Sequence, residues 1–481
     1  MYRQKAIFVG LLLAGCLSII TGIGSAATIN STSCSQAAVQ AAIEKAGIGD
    51  TVLVPPGQCT WSSAVSISDD KKIILQGAGI GSTVISAPSM AVNLNGSGSR
   101  ITGFEFNLTS ISSAIKTYGS DWRIDNCEFD YRPAGSKGNA VEADGRNHYY
   151  PTWSLSGLID NCTFYDGRIV VTGSAVTGVS DPSKAYALMA QPADLGGSSA
   201  VYIEDCTFEL NKFGNLIDAN YGGAYVFRFN SVTKGNYTGY VVEAHSLQST
   251  SRGTRKWEIY GNTFIGDGGP YAPFLLRGGI GIIFNNDLKG TWDSENIRID
   301  NRRSTEDLGP GLCDGNTSWD GNIVGKSGLL CRDQIGTGPD SSIWTATPPY
   351  PSQPQMPMYS WGNDEVDDSI LSVVVSSGSE THIQANRDYY EETAGFDGTS
   401  GVGMGVLASI PGTCTTGVGY WATDQGNWNQ SGRGGQGVLY KCTSTNTWEK
   451  YYTPYEYPHP LRDQSPAISP LSAPQDLKII Q

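Results

Sequence analysis

One six-residue pattern recurs along this chain and restricts the folds open to it. Ile124-Asp125-Asn126-Cys127-Glu128-Phe129 is followed by Ile159-Asp160-Asn161-Cys162-Thr163-Phe164 and Ile203-Glu204-Asp205-Cys206-Thr207-Phe208. Residues 227–232, 259–264 and 283–288 continue it, with Asn230, Asn262 and Asn286 in the cysteine position. Residues 101–106 precede the series, and 319–324 read as a further member. The step is 24 residues from Ile259 to Ile283 and 44 from Ile159 to Ile203, so loops of different size separate fixed segments. That is the mark of a solenoid, in which no coil buries its own apolar face and neighbours must stack. Stacked strands lie ~4.8 Å apart, so like residues align in columns. Phe129, Phe164, Phe208 and Phe264 are expected to stack inside. Cys127, Cys162 and Cys206, then Asn230, Asn262 and Asn286, form a second inner column. A buried Asn there bonds the coils above and below, and a buried Cys acts as a small apolar filler. No His accompanies these cysteines, so the column reads as structural. The pattern predicts an all-β chain, a right-handed parallel β-helix.

Composition agrees. Among 481 residues there are 60 Gly, and only 16% are charged, which suits short strands and frequent turns. The net charge is -14, and no basic run is concentrated enough to grip a phosphate backbone, so nucleic acid is excluded as a partner. An anionic polymer would need a local basic patch or a bridging cation. Arg3 and Lys5, the apolar residues 7–23 and Ser25-Ala26-Ala27 read as an export signal over 1–27. No later stretch approaches a transmembrane run. Leu13-Ala14-Gly15-Cys16 also resembles a lipoprotein box, leaving lipidation at Cys16 as the alternative to simple secretion. Cys34 with Cys59, Cys313 with Cys331 and Cys414 with Cys442 each flank a short loop, as disulfides of an oxidising compartment do.

Residues 35–46 have helical spacing and precede the strand-and-turn Gly49-Asp-Thr-Val-Leu-Val-Pro-Pro-Gly57. A helix covering the open end of a solenoid blocks strand addition. That helix, the strand, the Ile74-Leu-Gln-Gly-Ala-Gly79 turn and the Asn-Cys-Thr-Phe coils resemble bacterial right-handed β-helix proteins of the pectate-lyase-like superfamily, over roughly residues 30–330. The resemblance implies the fold. It implies less about chemistry, because that superfamily holds lyases, hydrolases, epimerases and adhesins. Neither the NTD, DD, GHG and RIK series of polygalacturonases nor the RxPxxR arrangement of pectate lyases is present. The solenoid is expected over 28–335, a Pro-rich linker over 336–379 and an aromatic β-hairpin segment over 380–481. In that segment, 418–422 and 438–442 read as strands. It is expected either to pack along the solenoid or to bind sugar through its aromatics. The stretches Cys331-Arg-Asp-Gln-Ile-Gly336 and Tyr457-Pro-His-Pro-Leu461 resemble features of uncharacterised bacterial proteins.

Enzymes on this scaffold work on an exposed sheet beside loops. A second strand follows each repeat, and alternation predicts two outward columns. One reads Lys116, Glu142, Val170, Asp218, Glu243, Arg277, and the other Tyr118, Asp144, Thr172, Asn220, His245, Gly279. Asp218, Glu243, His245 and Arg277 are the catalytic candidates. Carboxylates ~5 Å apart on adjacent coils shift each other's titration and match a retaining glycosidase pair. Arg277 could clamp a carboxylate. Asn220, Tyr221, Arg252, Arg255, Glu142, Asp144, His148 and Tyr150 are the substrate-binding candidates, Arg252 and Arg255 because they make one locally basic loop. Ca²⁺ held by Glu142, Asp144 and Asp218 is the one cofactor expected. A solvated ion-pair ladder is the competing explanation of the same strip. The function expected is action on an extended, uronate-containing polysaccharide, by a lyase ahead of a hydrolase. The alternative is a non-catalytic adhesin or glycan-binding protein. The chain is expected to be monomeric, with a polysaccharide or cell-surface glycan as partner.

Overall fold

The computed structural model describes residues 26–145, 155–173, 188–212, 215–235, 237, 239–246, 252–268, 272–301, 313, 318–340, 352–367 and 369–463. Three all-parallel sheets of twelve, ten and nine strands run through them. One coil shows the plan: Trp122–Asp125 joins the twelve-stranded sheet, Glu128–Asp130 the nine-stranded and Gly138–Asp144 the ten-stranded, before Gly157–Asp160 opens the next coil. This is the expected right-handed parallel β-helix.

The third residue of the motif turns the chain from the first of these strands to the second. Its φ is positive at Asn126 (49°), Asn161 (51°), Asp205 (54°), Gly261 (67°) and Asn285 (52°). Asn, Asp and Gly are the residues that reach this left-handed region most cheaply. Phe229, with φ 56°, is the exception. Its ring packs on Tyr260, Trp428 and Tyr457, which offsets the strain.

The inner columns form as their residue types require. Phe106, Phe129, Phe164 and Phe208 stack with ring centroids 5.3, 5.0 and 4.6 Å apart. Val232 comes next in register, then Phe264. Below the buried Cys127, Cys162 and Cys206, each Asn amide donates to the next: Asn230 to Asn262 at 3.1 Å, Asn262 to Asn286 at 2.9 Å and Asn286 to Asn363 at 2.8 Å. Asn363 was not anticipated. Residues 319–324 are not the next coil, since Asn322 accepts from the backbone of Cys331 instead. The true continuation is Ser360-Trp361-Gly362-Asn363, after a long insertion.

The solenoid therefore runs past 335. Met358–Trp361 and Tyr389–Glu391 extend the twelve-stranded sheet, and Val373–Val375 the ten-stranded one. Much of the expected linker 336–379 is thus coil, hidden because the insertion separates it from the repeat. At the other end, the helix Gln36–Lys45 buries Val39, Ala42 and Ile43, and Cys34 is joined to Cys59. The pairs Cys313–Cys331 and Cys414–Cys442 are also disulfides, as an oxidising surrounding favours. Among the described residues no helix is long and apolar enough to cross a membrane. Cys16 and the signal stretch 1–25 lie outside the described residues.

The C-terminal segment forms a four-stranded sheet over Val402–Gly405, Gly419–Ala422, Val438–Ser444 and Thr447–Tyr452. It packs across the outer face of the twelve-stranded sheet. Trp421, Trp428, Tyr452 and Tyr457 are buried there against Tyr260, Phe284, Tyr359 and Trp361. These aromatics are interior, which leaves them unavailable to stack on sugar. Charge secures the last turn: Arg228 donates to the carbonyls of Tyr455 and Glu456, and Arg462 pairs with Asp160, Glu204 and Asp205. His459 is buried in this network and accepts the Leu461 N–H through Nδ1. Burial, then Arg228, Arg462 and Arg123, push its pKa down from 6.5 to about 3.

Two predictions follow from these contacts. Asn262→Leu orphans an amide on each neighbouring coil, which costs about 1–3 kcal/mol per group, read as a lowered denaturation midpoint. His459 is neutral in the fold but gains a proton below 6.5 when unfolded. Stability is thus full above that pH and falls as the pH drops toward 3. In thermal melts from pH 7 to 4 the wild type loses more stability than His459→Asn, whose pH dependence is flatter.

Candidate functional site

The ten-stranded sheet carries both outward columns. Lys116 pairs with Glu142, Glu142 with Val170, Val170 with Asp218 and Asp218 with Glu243, all as alternation predicts. The next member is different: Glu243 stands opposite Leu275, not Arg277. Phe274 takes the inward position opposite Val242 and slides the strand by two residues. The shift is even, so Arg277 still emerges on the outer side.

The side chains converge on His245. Its Nε2 lies 2.9 Å from Glu243 Oε2 and 3.3 Å from Asp218 Oδ1, so one nitrogen stands between carboxylates of adjacent coils. Arg277 Nη2 is 3.3 Å from Glu243, and Arg168 Nη1 is 3.0 Å from Asp218. Arg168, Asp218, His245, Glu243 and Arg277 form one continuous ladder. Arg168 was missed by the sequence reading. The signal was available, because 168, 170 and 172 share one parity on a single strand and the outward set needed only one more step toward the N-terminus.

The ladder is not the solvated face that its polarity suggests. Side-chain exposure is 13% at Asp218, 7% at Glu243, 9% at His245 and 15% at Arg277, so the strip is recessed. Four of its polar atoms are buried without a hydrogen-bond partner: Asp218 Oδ1, whose nearest group is the His245 imidazole at 3.3 Å, Asn220 Oδ1, Ser246 Oγ and Arg277 Nε. Buried polar atoms in folded proteins are nearly all paired, so the unsatisfied bonding of these four sets this strip under electrostatic strain. The strip also ends at the corner where the chain leaves this sheet. In the sequence, 145–156, 173–200, 245–255 and 300–357 each connect a strand of the ten-stranded sheet to one of the twelve-stranded sheet, and only their ends and parts are among the described residues.

Other candidates sit elsewhere or serve the scaffold. Glu142 and Asp144 lie two coils away, where Lys116 Nζ approaches them at 3.4 and 2.7 Å. Lys116 thus pairs with two of the three carboxylates expected to hold Ca²⁺, and Asp218 stands apart with Arg168 and His245. Among the described residues no group of His, Cys, Asp and Glu is arranged to hold a metal ion. Tyr221 turns the chain with φ 52°, and its N–H donates to the Arg252 carbonyl. Arg255 Nη2 donates to the carbonyls of Gln191 and Pro192. His148 and Tyr150 lie outside the described residues.

Arg252 is fully buried rather than presented to substrate. Its guanidinium meets Asp333 at 2.6 Å and Asp340 at 2.6 Å. Burial raises both carboxyls, but Arg252 outweighs it at Asp333, whose pKa falls, and not at Asp340, whose pKa rises. Asp333 belongs to the Cys331-Arg-Asp-Gln-Ile-Gly336 stretch, so that motif clamps the loop that follows His245. Gly253 N–H donates to Asp333 at 2.9 Å, and Thr254 N–H to the His245 carbonyl at 2.7 Å. Gly278 permits the approach, since a Cβ there would sit 2.6 Å from the Asp333 carbonyl oxygen. No periodic signal marks Asp333 or Asp340, which is why Arg252 read as a surface cation. No family model matches this chain, and no curated protein matches it.

The two arginines should separate cleanly in stability. Arg252→Met leaves two buried carboxylates without their cation and should cost about 3–5 kcal/mol. Arg277→Met, which removes one contact of 3.3 Å from a carboxylate that His245 also meets, should cost less, about 1–2 kcal/mol. Urea unfolding of the two variants measures the difference.

Proposed function

We propose that this chain is a secreted, polysaccharide-active protein of the pectate-lyase-like superfamily that cleaves an extended uronate-containing glycan by β-elimination. The observation that carries the proposal is the recessed ladder centred on His245 Nε2, between Asp218 and Glu243, with the Arg277 guanidinium beside it. A substrate carboxylate on the terminal nitrogens of the Arg277 guanidinium would bring the adjacent C5 hydrogen toward Glu243, which is 3.3 Å from the same group. Arg277 offsets the charge that develops as the proton leaves. Glu243 takes the C5 proton as general base. The electron pair forms the C4–C5 double bond, and the bond from C4 to the glycosidic oxygen breaks. His245 hands its Nε2 proton to that oxygen and recovers one from Glu243, 2.9 Å away. Asp218 and Arg168 hold the imidazole from the other side.

Hydrolysis by a carboxylate pair is the less favoured chemistry. A retaining pair keeps the sugar between its carboxyls, whereas the imidazole fills that space here. Binding without turnover is the second reading. It is favoured by the internal pairing of the ladder, in which every carboxylate already meets a cation.

The test is incubation of the secreted protein with a panel of uronate polymers, followed at the absorbance of unsaturated products. Glu243→Gln and His245→Ala should each lower the rate about 10²–10⁴-fold. Unchanged rates in both would remove the assignment. Saturable retention of the polymers with no unsaturated product would establish the binding reading instead.

A further inference from the structure

The ladder ends in a cation on both sides. Arg168 stands on Gly167–Thr172 and Arg277 just past Phe274–Leu276, with Ile217–Asn220 and Val242–Ala244 between those strands in the ten-stranded sheet. Three strand spacings, ~14 Å, separate the two backbones. Each guanidinium leans inward, Arg168 to Asp218 at 3.0 Å and Arg277 to Glu243 at 3.3 Å. The charged groups themselves are therefore ~10–14 Å apart.

The Arg168 fork is held on two of its three nitrogens. Asn139, opposite it on the neighbouring coil, accepts from Nε at 2.6 Å, and Asp218 accepts from Nη1 at 3.0 Å. Among the described residues Nη2 has no acceptor, and it is not buried. At 23% exposure the Arg168 side chain is the most open of the five in the ladder. A guanidinium fixed in direction, with one end open to solvent, suits a carboxylate arriving from outside. Between the arginines, Asp218 and Glu243 repel an anion, so the strip attracts carboxylates at its two ends and not over its middle.

We propose that Arg168 is a second carboxylate-binding residue of this strip, taking a uronate two or three sugars away from the one on Arg277. An extended glycan advances by ~5 Å per sugar, close to the strand spacing, so that separation matches the two guanidinium groups. The proposal rests on the reading that the strip holds a uronate glycan, and it adds a direction and a minimum length. His245 meets the leaving oxygen on the Arg168 side of Arg277. The second carboxylate thus belongs to the fragment that departs on that oxygen. A disaccharide reaches one arginine, and a tetrasaccharide spans both.

Titration calorimetry on the full Glu243→Gln chain, with di- and tetrasaccharides of galacturonate and of mannuronate, tests this without turnover. The tetrasaccharide of at least one series should bind at least about tenfold tighter than its disaccharide. Arg168→Met in the same background should bring that ratio to within about twofold. A substitution that only disturbed the imidazole would weaken both oligomers alike and leave the ratio intact. Should Arg168→Met fail to be secreted, Asn139→Leu, which releases Nε and keeps the charge, should shrink the ratio at least about threefold. Absence of binding, no preference for the tetrasaccharide, or a preference that survives these substitutions would overturn the proposal. A preference that depends on Arg168, in a chain that forms no unsaturated product from any uronate polymer, would support the second subsite and remove only the elimination chemistry.

Discussion

Everything in this molecule depends on coils stacking in register at a fixed spacing. A residue that succeeds in one coil is repeated at the same place in the next, so each column must suit a neighbour of its own kind above and below. Aromatic rings meet that condition by stacking and thiols by their small size. Asn meets it by donating to one coil and accepting from the other, as Asn230, Asn262, Asn286 and Asn363 do. The same spacing makes chemistry possible outside. It sets Asp218 and Glu243 on adjacent coils, close enough for one imidazole nitrogen to reach both.

The three faces then diverge. The twelve-stranded sheet is covered by the C-terminal segment through aromatic packing and arginine–carboxylate pairs. The ten-stranded sheet keeps a recessed charged strip beside the corner that carries the long insertions. One of those insertions returns through Asp333 to lock Arg252 and the loop after His245. Positioning of the strip is therefore non-local, and the Cys313–Cys331 disulfide anchors the loop responsible.

The sequence disclosed what repetition and alternation encode. The solenoid, both inner columns and the outward parity of Asp218, Glu243 and His245 follow from periods of one coil and of two residues. Whatever broke a period was hidden. The insertion at 300–357 concealed the coil containing Trp361 and Asn363. The pair of core residues Phe274 and Leu276 moved Arg277 two places along its strand. Arg252 carried no mark of burial, because its partners Asp333 and Asp340 are some eighty residues distant and belong to no repeat. Exposure was misjudged for the same reason, since polarity alone cannot tell a solvated face from a recessed one.

The most direct measurement is a crystal structure of the inactive Glu243→Gln chain with a bound uronate tetrasaccharide. The ladder assignment predicts the oligosaccharide lying across the ten-stranded sheet, with one carboxylate on Arg277 and the neighbouring C5 hydrogen facing residue 243. A sugar bound on another face, or bound at the strip with no carboxylate near Arg277, would contradict it.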